Sequence, residues 1–218
     1  MNPLATTPRT RLHRKPERGS YDRALAYRIL DEALVAHVGF AVDQQPFVIP
    51  MFFARQGDTL LLHGAAASRL LASGARGLPL CVTVTLLDGL VLARSHFHHS
   101  VNYRSVVLMG TAHEIEDRDG KLAASAAFVD HVVPGRSREA RPPTDKELAA
   151  TRMLAMPIDE GSVKVREGGP IDDEEDFTVP CWSGHIPIGL VPSAPIPDPR
   201  THEPIPSAIS EMTGRPRD

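Results

Sequence analysis

Apolar residues recur every three to four positions in YDRALAYRILDEALV (21–35), near the start of the chain. Leu25 and Ile29 lie on one stripe of this segment, and polar residues occupy the opposite side. The spacing predicts an amphipathic helix. Ser20 or Asp22 can cap its first turn.

Three β-rich runs follow this helix: HVGFAV (37–42), FVIPMFFA (47–54) and TLLLHG (59–64). The polar residues and proline of DQQP, between the first two runs, suit a hairpin turn. Pro50 has no N–H to donate, so its strand should lie at an edge or carry a bulge. Together the runs predict an antiparallel meander.

The middle of the chain reads as a short helix (65–75), two further β runs (79–87 and 90–97) and a long strand (104–117). Asp88-Gly89, between the two β runs, is a strong signal for a two-residue hairpin turn. We therefore predict that the chain reverses direction at these two residues.

The last third of the folded region predicts two helices and a strand. One helix lies around residues 121–133, and a second begins after Pro143, where Thr144 can cap a turn that contains Glu147. A final strand covers residues 161–169. The fold class predicted is α+β and mostly β: six or seven antiparallel strands in a closed or split barrel with peripheral helices. Because the strands arrive as hairpins, a parallel sheet is disfavoured.

Composition indicates a single domain with two tails. A chain of 218 residues with 42% hydrophobic content can bury one core. Residues 1–20 are basic and contain three prolines, which predicts a flexible arm. Residues 187–218 are rich in proline and predict extended chain. The folded domain is therefore expected at residues 21–186.

Charge and hydropathy exclude several classes of partner. The formal net charge is −3, and the basic residues are scattered outside the first twenty, so nucleic acid is not an expected partner. No apolar run is long enough to span a bilayer, and no secretory signal is recognisable. With only two cysteines, the sequence predicts a cytoplasmic protein with reduced thiols.

Two polar patches are candidates for binding an anion. Ser68 and Arg69 enter the first turn of the predicted helix at 65–75, where backbone amides, a hydroxyl and a guanidinium can converge on a phosphate. The alternative is a helix cap beside a solvated arginine. The second patch, Tyr103 to Ser105, supplies another cation and further hydroxyls directly before a buried run. We predict that the two patches together hold one negatively charged nucleotide head.

The histidines and acidic residues do not predict a metal site. His96 and His98 alternate and would point the same way on a strand. However, no cysteine or carboxylate lies close to them in sequence. The acidic run DDEEDF (172–177) is interpreted as a solvated loop.

Several motifs together resemble the flavin-binding split-barrel proteins related to pyridoxamine 5'-phosphate oxidase, and more narrowly the nitroimidazole-resistance proteins among them. The motifs are PFVIPMFF, LLLHGAAASRLL, CVTVTLLDGLVLARS, HSVNYRSVVLMG and CWSGHIPIGL. The resemblance spans about residues 20–190 and is most specific over residues 59–110. It implies a homodimer with FMN in a groove between the subunits.

The resemblance also implies roles for individual residues. Ser68 and Arg69 correspond to ligands of the FMN phosphate, and Leu70 replaces a lysine of the oxidase. Arg104 and Ser105 belong to a strand that reaches the flavin, and Trp182 to a late tryptophan near the ring or closing the barrel. The strand whose main chain follows the isoalloxazine ring contains Val48, Ile49, Pro50 and Met51. His63 corresponds to a histidine near flavin and substrate, which makes it the candidate catalytic residue; a structural histidine at a strand end is the alternative.

These features predict an FMN-dependent oxidoreductase that acts on a small molecule, with NAD(P)H as a candidate electron donor. In such enzymes the cofactor carries the redox chemistry and the protein supplies binding and orientation. The sequence has no convincing Ser-His-Asp or Cys-His signature, which agrees with this division of work. The alternative is a protein that binds flavin or haem without turnover.

Overall fold

The computed structural model describes residues 2–65 and 77–214. The chain divides into two compact units. The first contains residues 1–85 and 105–163, and the second contains residues 86–104 and 164–218. The boundaries between the units fall inside three strands.

Nine strands and four α-helices are present in the described residues. The strands are β1 Gly19–Ser20, β2 Val35–Val42, β3 Gln45–Gln56, β4 Thr59–Ala65, β5 Leu78–Leu92, β6 Ser100–Glu114, β7 Thr151–Pro157, β8 Glu160–Arg166 and β9 Gly184–Pro187. The helices are α1 Arg23–Glu32, α2 Arg118–Val132, α3 Asp145–Ala150 and α4 Ser207–Met212. Short 3-10 helices cover Pro16–Arg18, Arg136–Arg138 and Glu174–Thr178.

The strands hydrogen-bond in the order β1-β8-β6-β7-β4-β3-β2-β5-β9, with an additional pairing of β5 with β6. Neighbours with an established register, such as β2–β3, β4–β7 and β5–β9, run antiparallel. The predicted class, mostly antiparallel β with peripheral helices, is therefore confirmed. The predicted count of six or seven strands was too low, because β1, β7 and β9 were not recognised in the sequence.

The first helix and hairpin form as their sequence predicts. The Asp22 carboxylate accepts a hydrogen bond of 3.0 Å from the backbone N–H of Ala24, which caps α1. Asp43 and Gln44 turn the chain between β2 and β3 with positive φ angles of 49° and 66°. Two consecutive residues with positive φ angles form the tight turn that matches the twist of an antiparallel strand pair.

Pro50 lies in β3 opposite His37, and the β2–β3 register continues through it without interruption. The predicted bulge is therefore wrong. β3 lies between β4 and β2 in the sheet, so it is not an edge strand as a whole. β4 pairs only with Phe53–Gln56, and no described strand pairs with that side of residues 45–52.

β5 corrects the hairpin predicted at Asp88-Gly89, because a single strand runs from Leu78 to Leu92. Buried residues occupy the even-numbered positions up to Val84 and the odd-numbered positions from Gly89 onwards. The alternation of buried and exposed residues is therefore interrupted, although the strand is continuous. Gly89 lies opposite Pro187 of β9. A Cβ on Gly89 would lie 2.9 Å from the carbonyl oxygen of Ile186, so glycine is required here by close backbone approach.

The segment TDKELAATRMLA contains a helix and a strand, where the sequence predicts a helix. The helix α3 starts with the predicted capping box, in which the Thr144 hydroxyl and the Glu147 carboxylate each bond the other residue's backbone N–H. It ends at Ala150, and Thr151–Pro157 instead pair with the full length of β4. Pairing with a neighbouring strand has overridden the local helix propensity of this segment.

Residues 1–20 belong to the first unit. Leu4 is only 2% exposed. The backbone N–H of Leu4 donates to the carbonyl of Tyr21 at 2.8 Å, and that of Ala5 donates to Asp159 at 2.7 Å. In the second tail, the structure contains the helix α4, where the sequence predicts only extended chain.

Candidate functional site

The first unit contains a cavity of about 330 Å³ between its sheet and two helices. Phe52 of β3, His63 of β4 and Met153 of β7 line the sheet side. Thr151, the first residue of β7, also lines it, and the α2 and α3 region supplies the other walls: Ser125, Phe128, Val129, Val132, Pro143, Glu147 and Leu148. The volume lies in the range of small-molecule sites, and apolar walls with few polar groups are typical of them.

The cavity exists because two helices pack on one face of the sheet. Ala54 and Leu61 of β3 and β4 belong to the same buried cluster as Ala124 and Phe128 of α2. Leu148 of α3 completes this cluster. The helices are thereby fixed on the sheet, and the cavity wall is part of the core.

His63 is the ionisable residue that the sheet contributes to this cavity. It is half buried and lies directly opposite Met153 in the β4–β7 ladder. Its ring centroid is 4.3 Å from that of Phe128 and 6.1 Å from that of Phe52, both in edge-on arrangements. No hydrogen bond joins the imidazole to any described residue. Buried polar groups normally have a partner, so an imidazole nitrogen is available to a ligand.

Burial lowers the pKa of His63 below its ordinary value. The physical cause is desolvation, which disfavours the charged imidazolium. His63 is therefore neutral near pH 7. A neutral imidazole has one nitrogen lone pair, which can accept a proton or bind a metal ion.

Glu147 is an ionised group on the helix side of the cavity. The Arg141 guanidinium donates two hydrogen bonds to its carboxylate, at 2.9 and 2.7 Å. The Arg141 side chain, followed by the backbone and hydroxyl of Thr144, holds the pKa of Glu147 far below its usual range. Glu147 thus completes the cap of α3 as a carboxylate rather than acting as a proton donor.

The predicted flavin strand presents an accessible edge within the first unit. Val48 is 66% exposed, Pro50 is also exposed, and Ile49 and Met51 are half buried. No described strand pairs with this side of residues 45–52. The role that the resemblance gives to the main chain of Val48–Met51 stays a prediction.

The polar residues Tyr103, Arg104 and Ser105 lie inside β6 and not at its entrance, because the strand begins at Ser100. Arg104 forms a bidentate ion pair with Asp88: its Nε and Nη2 atoms donate to the carboxylate at 3.0 and 2.8 Å. This pair lies within the second unit. The positive charge predicted to attract a phosphate is therefore already balanced by a carboxylate.

Trp182, in the second unit, is 65% exposed. Its ring lies against Gly184, where an added Cβ would come within 2.8 Å of two indole carbons. Trp182 therefore covers the first residue of β9. Ser68, Arg69 and Leu70 lie outside the described residues. The prediction that the two polar patches meet therefore stays a prediction.

Sequence reasoning placed His63 at the site but missed the aromatic wall around it. Phe52 and Phe128 are 76 positions apart in the sequence, and each looks like an ordinary core residue. The helical stripe of residues 121–133 was visible in the sequence. Only the packing of α2 on β3 shows that this stripe faces His63.

Comparison with known proteins identifies relatives over the whole chain. A family model described as pyridoxamine 5'-phosphate oxidase matches residues 22–165. The flavocytochrome Anf3 from Azotobacter vinelandii is 42% identical, with 96% of this chain and 98% of that chain covered and a TM-score of 0.88. An FAD and haem binding protein from Mycobacterium smegmatis is 40% identical, covering 92% and 100% of the two chains, with a TM-score of 0.87.

A more distant structure shares the fold alone. A protein assigned to 5-nitroimidazole antibiotic resistance in Bacteroides thetaiotaomicron is 24% identical over 67% of this chain and 86% of that chain, with a TM-score of 0.56. A comparison with the curated proteins finds no match. The structural matches confirm the predicted split-barrel class.

Proposed function

Because the chain belongs to the pyridoxamine 5'-phosphate oxidase family, we propose that it is a flavocytochrome that binds one flavin and one haem per subunit. Two relatives match nearly the whole chain, at 42% and 40% sequence identity. The first is described as a flavocytochrome and the second as an FAD and haem binding protein. We propose FAD as the flavin, where the sequence predicts FMN.

The observation that carries the haem proposal is His63 in its cavity. Haem iron takes histidine as an axial ligand, and ligation requires the neutral imidazole that burial provides here. The lining is mainly aromatic and aliphatic, with Ser125, Glu147 and Thr151 as its other polar residues. Because a haem is larger than about 330 Å³, this cavity would hold only the part of the macrocycle next to His63. His63 is thus reassigned from a proton-transfer residue to an iron ligand.

The flavin proposal rests on the family and on the open edge of β3. Main-chain groups of Val48–Met51 are available to the ring system, and Ser68 and Arg69 remain the predicted phosphate ligands. When bound, a flavin exchanges electrons with donors such as NAD(P)H and with one-electron partners such as haem. The protein's part is to hold and orient the cofactor and to keep His63 neutral.

We further propose that the protein is an oxidoreductase working as a homodimer in the cytoplasm, with NAD(P)H as donor and a small molecule as acceptor. The exposed hydrophobic residues support the dimer. Among the described residues, fourteen of the seventeen exposed large hydrophobic side chains belong to the second unit. Concentrated apolar exposure of this kind is typical of interaction surfaces. No described helix is both long and apolar enough to cross a membrane.

Absorption spectra of the purified protein and of His63→Gly test the cofactor proposal. We expect flavin bands and a Soret band from the native protein, and loss or displacement of the Soret band in the variant with its flavin retained. Added imidazole should restore the band by replacing the missing ligand. His37→Gly, at an exposed position of β2, is the matched control and should keep both cofactors.

Two results would contradict this assignment. An unchanged Soret band in His63→Gly would show that another residue binds the iron. If the native protein contained flavin but no haem, the flavocytochrome proposal would be wrong and the protein would be a flavoprotein without haem. Chromatography of the released flavin separates FAD from FMN, and anaerobic bleaching by NADH or NADPH tests the oxidoreductase activity independently.

A further inference from the structure

Three potential metal ligands to which no role has been assigned above converge in the second unit. The nitrogen and carboxylate oxygen atoms of His98, Asp173 and Asp176 all lie within 4.8 Å of one another. His98 Nε2 is 3.1 Å from an oxygen of Asp173. Two atoms each about 2.1 Å from one metal ion are separated by about 3.0–3.4 Å in octahedral or tetrahedral geometry. The hydrogen bond between His98 and Asp173 has a length in this range, so an ion that replaces the shared proton leaves both ligand atoms in place.

The two segments that carry these ligands are fixed to each other by a neighbouring carboxylate. The Asp172 side chain is only 2% exposed. It accepts hydrogen bonds from the backbone N–H of Arg94 at 2.8 Å, from the Arg94 guanidinium at 2.8 Å and from the Ser183 hydroxyl at 3.0 Å. Asp172 precedes Asp173 directly, and Arg94 lies in the loop at residues 93–99 that contains His98. The relative position of the ligands is therefore set by a buried network and not by the pair itself.

A second contact holds the carboxylate segment. The Arg94 guanidinium lies 5.0 Å from the centre of the Phe177 ring, and Phe177 follows Asp176 in the 3-10 helix Glu174–Thr178. This cation–π contact ties the helix to the same arginine that anchors Asp172. Preorganised ligands of this kind bind metal more tightly than ligands on free loops, because outer partners orient the inner ones.

We propose that His98, Asp173 and Asp176 form a binding site for a divalent transition-metal ion. One imidazole and two carboxylates suit Zn²⁺, Co²⁺ or Mn²⁺. Asp173 is 74% exposed, so water molecules complete the coordination and the site is open to solvent. The ion joins the loop at residues 93–99 to the 3-10 helix and stabilises both.

The sequence predicts no metal site because no carboxylate lies near His98 in the chain. The structure brings one from 75 positions away, out of an acidic run that was interpreted as a solvated loop. His96 and His98 also do not lie on one strand, since residues 93–99 form a loop between β5 and β6.

Titration calorimetry with Zn²⁺ on the tag-free full chain, with its cofactors bound, tests the site. We expect one ion per chain, and binding weakened by at least about tenfold in each of His98→Ala, Asp173→Asn and Asp176→Asn. His99→Ala and Glu174→Gln are matched controls from the same loop and the same acidic run. They should retain the native affinity.

The spectrum of bound Co²⁺ gives a readout that is independent of affinity. A visible absorption band that changes in His98→Ala and not in His99→Ala supports the imidazole ligand. Equal weakening in all five variants would show only diffuse attraction of cations to the acidic run, and unchanged binding in all of them would place the ion elsewhere. Either result overturns the proposal. Unchanged flavin content and melting temperature without metal confirm that each variant folds.

Discussion

At the scale of single residues, the neutrality of His63 has a consequence for stability. Burial lowers the pKa of its imidazole, while the unfolded chain keeps a pKa near about 6.5. Between these two values the unfolded state binds more protons than the folded state. Folding stability therefore increases with pH across this window and falls as the pH drops below about 6.5.

Replacing this side chain should flatten the pH dependence. On haem-free protein, we expect the free energy of unfolding to fall between pH 7.5 and 5.0 more steeply in the native chain than in His63→Asn, by well below the limit of about 1.4 kcal/mol per pH unit for one fully linked proton, because His63 is only half buried. Urea denaturation at several pH values measures this. His37→Asn should follow the native curve, and parallel curves for all three proteins would contradict a depressed pKa at His63.

Gly89 illustrates a second effect that depends on one position. A Cβ there would meet the backbone of β9, which cannot move as a flexible side chain can. We expect Gly89→Ala to lower the free energy of unfolding by about 1–3 kcal/mol, the usual cost of overpacking. Gly189→Ala is the control because no atom lies near its added Cβ. Equal denaturation midpoints for the two variants would refute the close-approach explanation.

At the scale of elements, α3 connects local helix capping with the cavity. Its capping box involves Thr144 and Glu147, and Leu148 of the same helix lines the cavity. We expect Thr144→Ala to lower the free energy of unfolding by about 1 kcal/mol and to weaken haem retention, because the cavity wall is less well fixed. Lys146→Ala, at an exposed position of α3, should change neither. Haem titration and urea denaturation measure the two effects separately.

The elements also show how far the sequence could be interpreted. Helix α1, helix α2 and the Thr144–Glu147 capping box depend on contacts within a few residues, and all three were predicted. The prediction of a turn at Asp88-Gly89 was wrong. Glycine is needed there because the backbone of β9, almost a hundred positions later in the chain, approaches Gly89 closely. β7 was missed for the same physical reason. It forms by pairing with β4, and the hydrophobic pattern of residues 151–157 alone does not indicate that pairing.

The candidate site divides along the same line. His63 was predicted through a family motif, but the cavity that makes it neutral depends on Phe128 and Leu148, which arrive from other helices. Arg104 was predicted as an anion ligand from its charge, the neighbouring hydroxyls and the family resemblance, and its partner Asp88 comes from β5, which pairs with β6. Residue type thus indicated the chemistry available, and long-range packing decided how that chemistry is used.

At the scale of the whole molecule, the described part of the second unit buries few apolar residues and exposes many large ones. Val91 and Ala93 are the buried hydrophobic residues among its described positions, whereas Phe97, Leu190 and Ile196 are each more than three-quarters exposed. Stable units normally bury their large apolar side chains. A second copy of the chain would cover them, in agreement with the proposed homodimer.

We expect flavin binding to depend on the association of two subunits. If the flavin lies in a groove between two subunits, then dilution that separates the subunits also releases it, since binding and association are linked by mass action. Sedimentation should show a dimer at micromolar concentration, and flavin fluorescence should increase on dilution in parallel with the appearance of monomer. Flavin that stays bound to a sedimenting monomer would show that each subunit holds its cofactor alone, and the exposed apolar residues of the second unit would then require a different partner.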